Sequence, residues 1–211
     1  MIPRLHLITD DSILARPHFL TRAREVMAAG GERLAFHLRG PGLEGRKVFE
    51  LAHALREDAR GAGTLLLVND RLDVVLSLDL PGAHLGQRSL PPGVARGLLG
   101  PDRALGLSVH SQEEGEEARE GEVDFILVGT LFATLSNSGG IPGGIPRLLE
   151  IAATDPPLMI GIGGITPDRV EEVMVAGSHG VAVRGGVWDA PDPPQAVGVY
   201  LNELRRFSPG P

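Results

Sequence analysis

The sequence predicts a single α/β domain folded as a (β/α)8 TIM barrel, and three observations predict it. Eight short runs rich in leucine or β-branched residues recur along the whole chain: Leu5–Thr9, Leu34–Arg39, Thr64–Asn69, Gly82–Gly86, Ala104–His110, Asp124–Leu131, Leu158–Gly163 and Gly180–Arg184. Their starts are about 25 residues apart on average, the length of one strand–loop–helix–loop unit. Helical patterns separate them, and a parallel return to the same sheet needs such a crossover. Eight units are the number that closes a barrel, and 211 residues lies near the short end of that fold's range. A doubly wound open sheet is the competing arrangement. No linker or shift of composition marks a second domain, so the barrel is expected over residues 1–207, with 208–211 as a flexible tail.

Several helices carry their own boundary signals. Ser111-Gln-Glu-Glu114 reads as a capping box, in which the hydroxyl takes a free N–H and Glu114 reaches back. Thr166-Pro167-Asp168 offers an N-cap, a proline at the first helical position and an acid in the first turn. Val170, Val173 and Met174 then form an apolar stripe, which Gly177 ends. The last helix, from about Pro194, turns Val197, Tyr200, Leu201 and Leu204 inward and ends at Arg205-Arg206.

Composition excludes several classes of function. With 42% hydrophobic and 22% charged residues, the chain can bury a core and stay in solution. There are no cysteines, so disulfides, thiolate metal sites and a cysteine nucleophile are excluded. The net charge of −7 argues against bulk nucleic-acid binding. No apolar run approaches the ~18 residues of a membrane span, and no signal-peptide layout opens the chain, so a soluble cytoplasmic protein with no membrane partner is expected. Lys47 is the only lysine, which leaves anion binding to arginine, backbone N–H groups and helix ends.

In such a barrel, function sits where strands end and the loops to the following helices begin. On the second strand Leu34, Phe36 and Leu38 alternate with Ala35, His37 and Arg39, which places His37 and Arg39 toward the barrel mouth. Asn69-Asp70-Arg71 follows four apolar residues at the end of the third strand. An Asx turn with a surface arginine is the bland alternative. His84-Leu-Gly-Gln87 closes a short fourth strand, Ser108 and His110 share a face on the fifth, and Gly129-Thr130 closes the sixth. Gly161-Ile-Gly-Gly164-Ile-Thr-Pro167 and Gly180-Val-Ala-Val-Arg-Gly-Gly186 each run a strand into glycine just before a helix start. Paired there, Gly163, Gly164, Gly185 and Gly186 suit a phosphate, with Arg184 as an added charge.

With those segments in order, the chain resembles the thiamine phosphate synthase/TenI superfamily. The likeness rests on Leu7-Ile-Thr-Asp-Asp-Ser12, Phe36-His-Leu-Arg39, Val68-Asn-Asp-Arg71, His84-Leu-Gly-Gln87, Ser108-Val-His-Ser111 with Glu113-Glu114, Asp124 to Gly129, and Gly161 to Pro167 before Gly180-Val-Ala-Val183. It implies a barrel whose small-molecule partner is a thiazole phosphate, with the phosphate on Gly163, Gly164, Gly185 and Gly186. Asn69, Asp70, Arg71, Gln87, Ser108, Thr130 and Arg184 are the substrate-binding residues so implied.

Departures from the synthase pattern fall in one subsite. His37 stands where that pattern has Gln, Pro41 where it has Lys, and Ser89 where it has a second Mg2+-binding Asp; the loop Thr134-Leu-Ser-Asn137 lacks its lysine. These favour a TenI-like thiazole tautomerase, which aromatises a carboxythiazole phosphate by moving a proton without a cofactor. The expected proton carrier is His37, with His110 in reserve and Arg39 steering the carboxylate. Thr130 occupies the place of that group's catalytic His. The alternatives are thiamine phosphate synthase, with Mg2+ on Asp70, and a non-catalytic binder of thiazole phosphate. A homo-oligomer is left open, with the loop from Phe132 to Ile145 as a lid or a contact.

Overall fold

In the computed structural model, which describes residues 1–134 and 142–207, eight parallel strands close on themselves in chain order. They are β1 (Leu5–Ile8), β2 (Leu34–Leu38), β3 (Leu65–Asn69), β4 (Gly82–Leu85), β5 (Ala104–Val109), β6 (Phe125–Val128), β7 (Leu158–Ile162) and β8 (Gly180–Val183). Pairing of Leu5 with Val181 and of Leu7 with Val183 shuts the barrel. The open-sheet alternative is thereby excluded.

The helices are α1 (Asp11–Leu14), α2 (Phe19–Gly30), α3 (Gly45–Ala62), α4 (Leu72–Ser77), α5 (Pro92–Leu99), α6 (Gln112–Glu120), α7 (Gly144–Ala152), α8 (Val170–Val175), α9 (Gly185–Trp188) and α10 (Pro193–Arg205). Strand alternation separates two cores. Leu34, Phe36 and Leu38 pack outward among the helices, whereas Ile8, Ala35, Leu67, Phe125, Leu127, Ile160 and Ala182 fill the barrel. Gly106 makes room in that filling: a Cβ there would lie 2.2 Å from Phe125 Cζ and 2.5 Å from His84 Nδ1.

Three boundary signals read differently in detail. Ser111 Oγ does accept from Glu114 N at 3.3 Å, but Glu114 Oε2 takes the N–H of His110 (2.6 Å), one residue ahead of the cap. Thr166 makes no side-chain cap bond; Pro167–Arg169 form a 3-10 turn that leads into α8. The last helix begins at Pro193, because Asp192 Oδ1 takes the Gln195 N–H at 3.0 Å. Residues 208–211, and most of the Thr134–Asn137 segment, lie outside the described residues.

Candidate active site

The polar strand ends gather on one rim, the C-terminal one, because every strand points the same way. Thr9 clamps the first two strands together. Its buried Oγ1 accepts the Arg39 N–H at 2.8 Å and lies 2.9 Å from Arg39 O. The Arg39 guanidinium is half-buried and makes no hydrogen bond or ion pair among the described residues. Its positive charge lowers the pKa of His84, after burial and His6.

Beside it, Asp70 sits at φ +63°, a conformation that Asp tolerates better than most residues. This turn aims its carboxylate at the next loop, where Oδ1 accepts the Gly86 N–H at 2.7 Å and the Ser89 hydroxyl. Gln87 Nε2 lies 3.0 Å from His110 Nδ1 and donates to Glu114 Oε1 at 3.1 Å, so a Gln–His–Glu cluster ties the fourth and fifth loops. Ser108 Oγ is 2.9 Å from His84 Nε2.

Some residues expected at the site are engaged elsewhere. Arg71 pairs bidentately with Asp73 (2.9 and 2.5 Å) and lies over Gly45 at the start of α3. Arg184 forms an ion pair with Asp10, whose other contacts cap α1 through Ile13 N at 2.9 Å.

His37 faces inward, as the alternation requires, but it lies below the mouth rather than on it. It is 0% exposed, and its Nε2 is 2.9 Å from His6 Nδ1. With His84 (1% exposed) and Phe125, these rings cluster inside the barrel at centroid separations of 5.0 to 6.1 Å, mostly tilted or edge-on to one another. Burial is the first cause of low basicity in all three: it pushes His6 and His84 down to about 3 and His37 well below its ordinary 6.5. All three are neutral at physiological pH. That removes the physical ground for His37 as a proton carrier, because a shuttle needs access and a pKa near the working pH.

The glycine loops lie side by side, since Ile162 of β7 pairs with Ala182 of β8. Gly163 and Gly164 adopt φ of +104° and +64°, and a Cβ on either would strike Thr130 or the backbone of residues 132 and 133. This closeness docks the sixth loop, with Phe132 N donating to Gly163 O at 2.9 Å. The amides of Gly163 and Gly164 donate to no backbone carbonyl among the described residues. Gly185 and Gly186 open α9, where first-turn amides have no helical partner. A Cβ on Gly186 would meet Tyr200 Oη at 2.2 Å.

As for Mg2+, no cluster of three or more His, Asp or Glu able to hold a metal occurs among the described residues. Asp70 and the Ser89 hydroxyl bonded to it are a thin donor set, yet one that suits Mg2+ arriving with a substrate diphosphate, its usual mode of binding. A cavity of about 1220 Å3 opens at the opposite end of the barrel, lined by Arg4, Arg33 and Arg103 among others; it shares no residue with this rim. No helix among the described residues is long and apolar enough to cross a membrane.

Sequence reasoning did not single out His6 or Thr9 as members of this assembly, and it took Ser89 only as the loss of a second acid. The same alternation that placed His37 would have placed His6 inside, since Leu5 and Leu7 face the helices.

Comparison with known proteins agrees on one family. Residues 5–187 match the family described as thiamine monophosphate synthase. The chain is 42% identical over 166 residues to the thiamine-phosphate synthase of Moorella thermoacetica, covering 78% of this chain and 79% of that one. It is 38% identical to that of Roseiflexus castenholzii, covering 92% and 84%. A solved thiamine phosphate pyrophosphorylase from Pyrococcus furiosus superposes with a TM-score of 0.82 at 28% identity, covering 98% of this chain and 97% of that one.

Proposed function

The chain belongs to the thiamine monophosphate synthase family, and from that premise we propose that it is itself a thiamine phosphate synthase, joining thiazole phosphate to hydroxymethylpyrimidine diphosphate with release of pyrophosphate. The observation that carries this reading is identity of 38 to 42% with relatives named for that activity, over 78 to 92% of this chain. It displaces the tautomerase as the main reading.

The chemistry supports the change. In the joining reaction the thiazole nitrogen attacks the pyrimidine methylene carbon; a C–N bond forms, the C–O bond to diphosphate breaks, and the diphosphate leaves with the electron pair. No proton has to move. A site whose inward histidines are buried and neutral is therefore compatible with it, whereas ring tautomerisation needs an acid/base group.

Each rim element then has a task. Arg39, which pairs with no carboxylate among the described residues, offsets the charge of the diphosphate as it departs. Asp70 and Ser89 would hold Mg2+ together with diphosphate oxygens, and that ion supplies further neutralisation of the leaving group. The amides of Gly163, Gly164, Gly185 and Gly186 hold the thiazole phosphate, while Asn69, Gln87 and Ser108 orient the rings. His110 belongs to the rim through Glu114 and Gln87 and serves orientation.

The test is incubation of the chain with both substrates, with and without Mg2+. Thiamine phosphate and pyrophosphate in equal amounts are expected, and chelation should abolish both. Aromatisation of carboxythiazole phosphate without any joining would overturn the reading.

A further inference from the structure

The cavity of about 1220 Å3 at the N-terminal end of the barrel has no part in the joining reaction. It is large enough for a small organic ligand, whose sites run to roughly 300–1,000 Å3. Its floor is apolar: Ile2 and Leu65 pack against the barrel filling, and Leu80 and Pro81 line it beside them. Two of its arginines are spent on the fold. Arg4 donates to His179 O and Leu204 O (2.8 and 3.1 Å), which fixes the end of α10 beside β1. Arg103 donates to Leu80 O and Leu99 O (3.2 and 3.0 Å) and pairs with Asp79.

Charge is unevenly spread around the remainder. On one wall the turn before β2 meets the end of α3, where a Cβ on Gly63 would lie 2.7 Å from Glu32 Cγ. This wall carries Arg33, Arg56 and Arg60, and the end of α10 adds Arg205. Arg56 and Arg60 share one carboxylate, that of Glu57. Arg33 and Arg205 make no hydrogen bond or ion pair among the described residues. Four arginines thus face two acids, Glu32 and Glu57, an excess of two positive charges in a chain whose net charge is −7. Across the barrel, the loops before β4 and β5 bring Asp79 and Asp102 against the single Arg103, and Asp102 pairs with no base among the described residues. The cavity is therefore positive at one end, negative at the other and apolar between them.

We propose that this cavity is a second ligand site, separate from the active rim, for an organic phosphate that carries a cation at its other end. The phosphate lies toward Arg33 and Arg205, the cation toward Asp102, and the apolar body on Leu65, Leu80 and Pro81. The joining reaction makes a molecule of this class: bonding at the thiazole nitrogen fixes a positive charge on that ring, and the phosphate of the thiazole half is retained. Neither substrate carries both. Naming the product as the ligand rests on the synthase reading. Because the cavity shares no residue with the rim, product held there leaves the rim open to substrates.

The direct test is a crystal of the full chain soaked in thiamine phosphate. Density is expected in the N-terminal cavity, with the phosphate on the Arg33 side; a cavity without density, whether or not the rim is filled, would overturn the proposal. Calorimetry gives the second measurement. The double variant Arg33→Gln/Arg205→Gln removes two arginines that hold nothing else, so its melting temperature should stay within about 2 °C of the parent. Its affinity for thiamine phosphate at the cavity should fall about tenfold. Asp102→Asn should weaken thiamine phosphate about threefold and leave inorganic phosphate within about twofold. Inorganic phosphate bound as tightly as thiamine phosphate, or binding unchanged in the double variant, would refute the two-ended site. Failure of the chain to form thiamine phosphate would refute the functional reading alone, because soak and calorimetry supply that compound directly.

Discussion

Acidification from pH 7 to pH 5 should destabilise this protein steeply, well before its carboxylates titrate. The cause is the trio His6, His37 and His84, enclosed in the barrel and held neutral by burial. In the unfolded chain each titrates near 6.5, while folded His6 and His84 do so at about 3 and His37 well below 6.5. Below pH 6.5 the unfolded state therefore binds protons that the folded state refuses. Stability is at its plateau above that pH and falls as pH drops, until the folded values are reached. His6 and His84 each contribute a loss of about 2 kcal/mol between pH 7 and pH 5, about 4 kcal/mol together, and His37 adds to it in the same direction. That is comparable with the roughly 5–15 kcal/mol that holds a typical domain folded. Urea unfolding at pH 7, 6 and 5, followed by circular dichroism, measures it directly. His84→Leu should remove about 2 kcal/mol of the pH dependence, whatever it does to stability at pH 7. A loss below about 2 kcal/mol over that range would show that the rings are hydrated or charged in the folded state.

Further expectations concern single residues. Gly106→Ala sets a methyl against Phe125 and His84 and should cost about 1–3 kcal/mol in urea unfolding at pH 7, since the barrel filling has no slack. Asp70→Asn should lower kcat for thiamine phosphate formation by about 100-fold and raise the Mg2+ concentration needed, with the melting temperature little changed. Arg39→Met should weaken diphosphate use by about 100-fold in kcat/KM while leaving thiazole phosphate binding, measured by calorimetry, within about threefold. Gly164→Ala forces a side chain into φ +64° and against Ala133 O, so KM for thiazole phosphate should rise more than KM for the diphosphate.

The barrel was legible because each unit signals itself locally: apolar runs of five or so residues, a glycine or proline, then a helical stripe. Strand alternation also fixed which side chains enter the barrel, as Ala35 and His37 show against Leu34 and Phe36. Depth along the barrel axis was not legible. Nothing local in Phe36-His-Leu-Arg39 says that His37 lies one layer beneath the mouth; that follows from register with His6 and His84 on strands far off in sequence. Arginine partners were hidden for the same reason. Arg184 meets Asp10 across 174 residues, whereas Arg71 meets Asp73 two residues away, a pairing open to inspection. The choice between synthase and tautomerase was hidden because substitutions at His37, Pro41 and Ser89 weigh heavily one at a time, while the surrounding scaffold decides what they can do. Ser89 still reaches the Asp70 carboxylate from the place of the absent second acid.

The most direct test of the synthase assignment is a product assay on the purified full chain supplied with thiazole phosphate, hydroxymethylpyrimidine diphosphate and Mg2+, with pyrophosphate release followed against thiamine phosphate by chromatography. One pyrophosphate per thiamine phosphate, abolished by chelation and restored by Mg2+, is the predicted result. Tight binding of thiazole phosphate with no joined product under any of these conditions would contradict it.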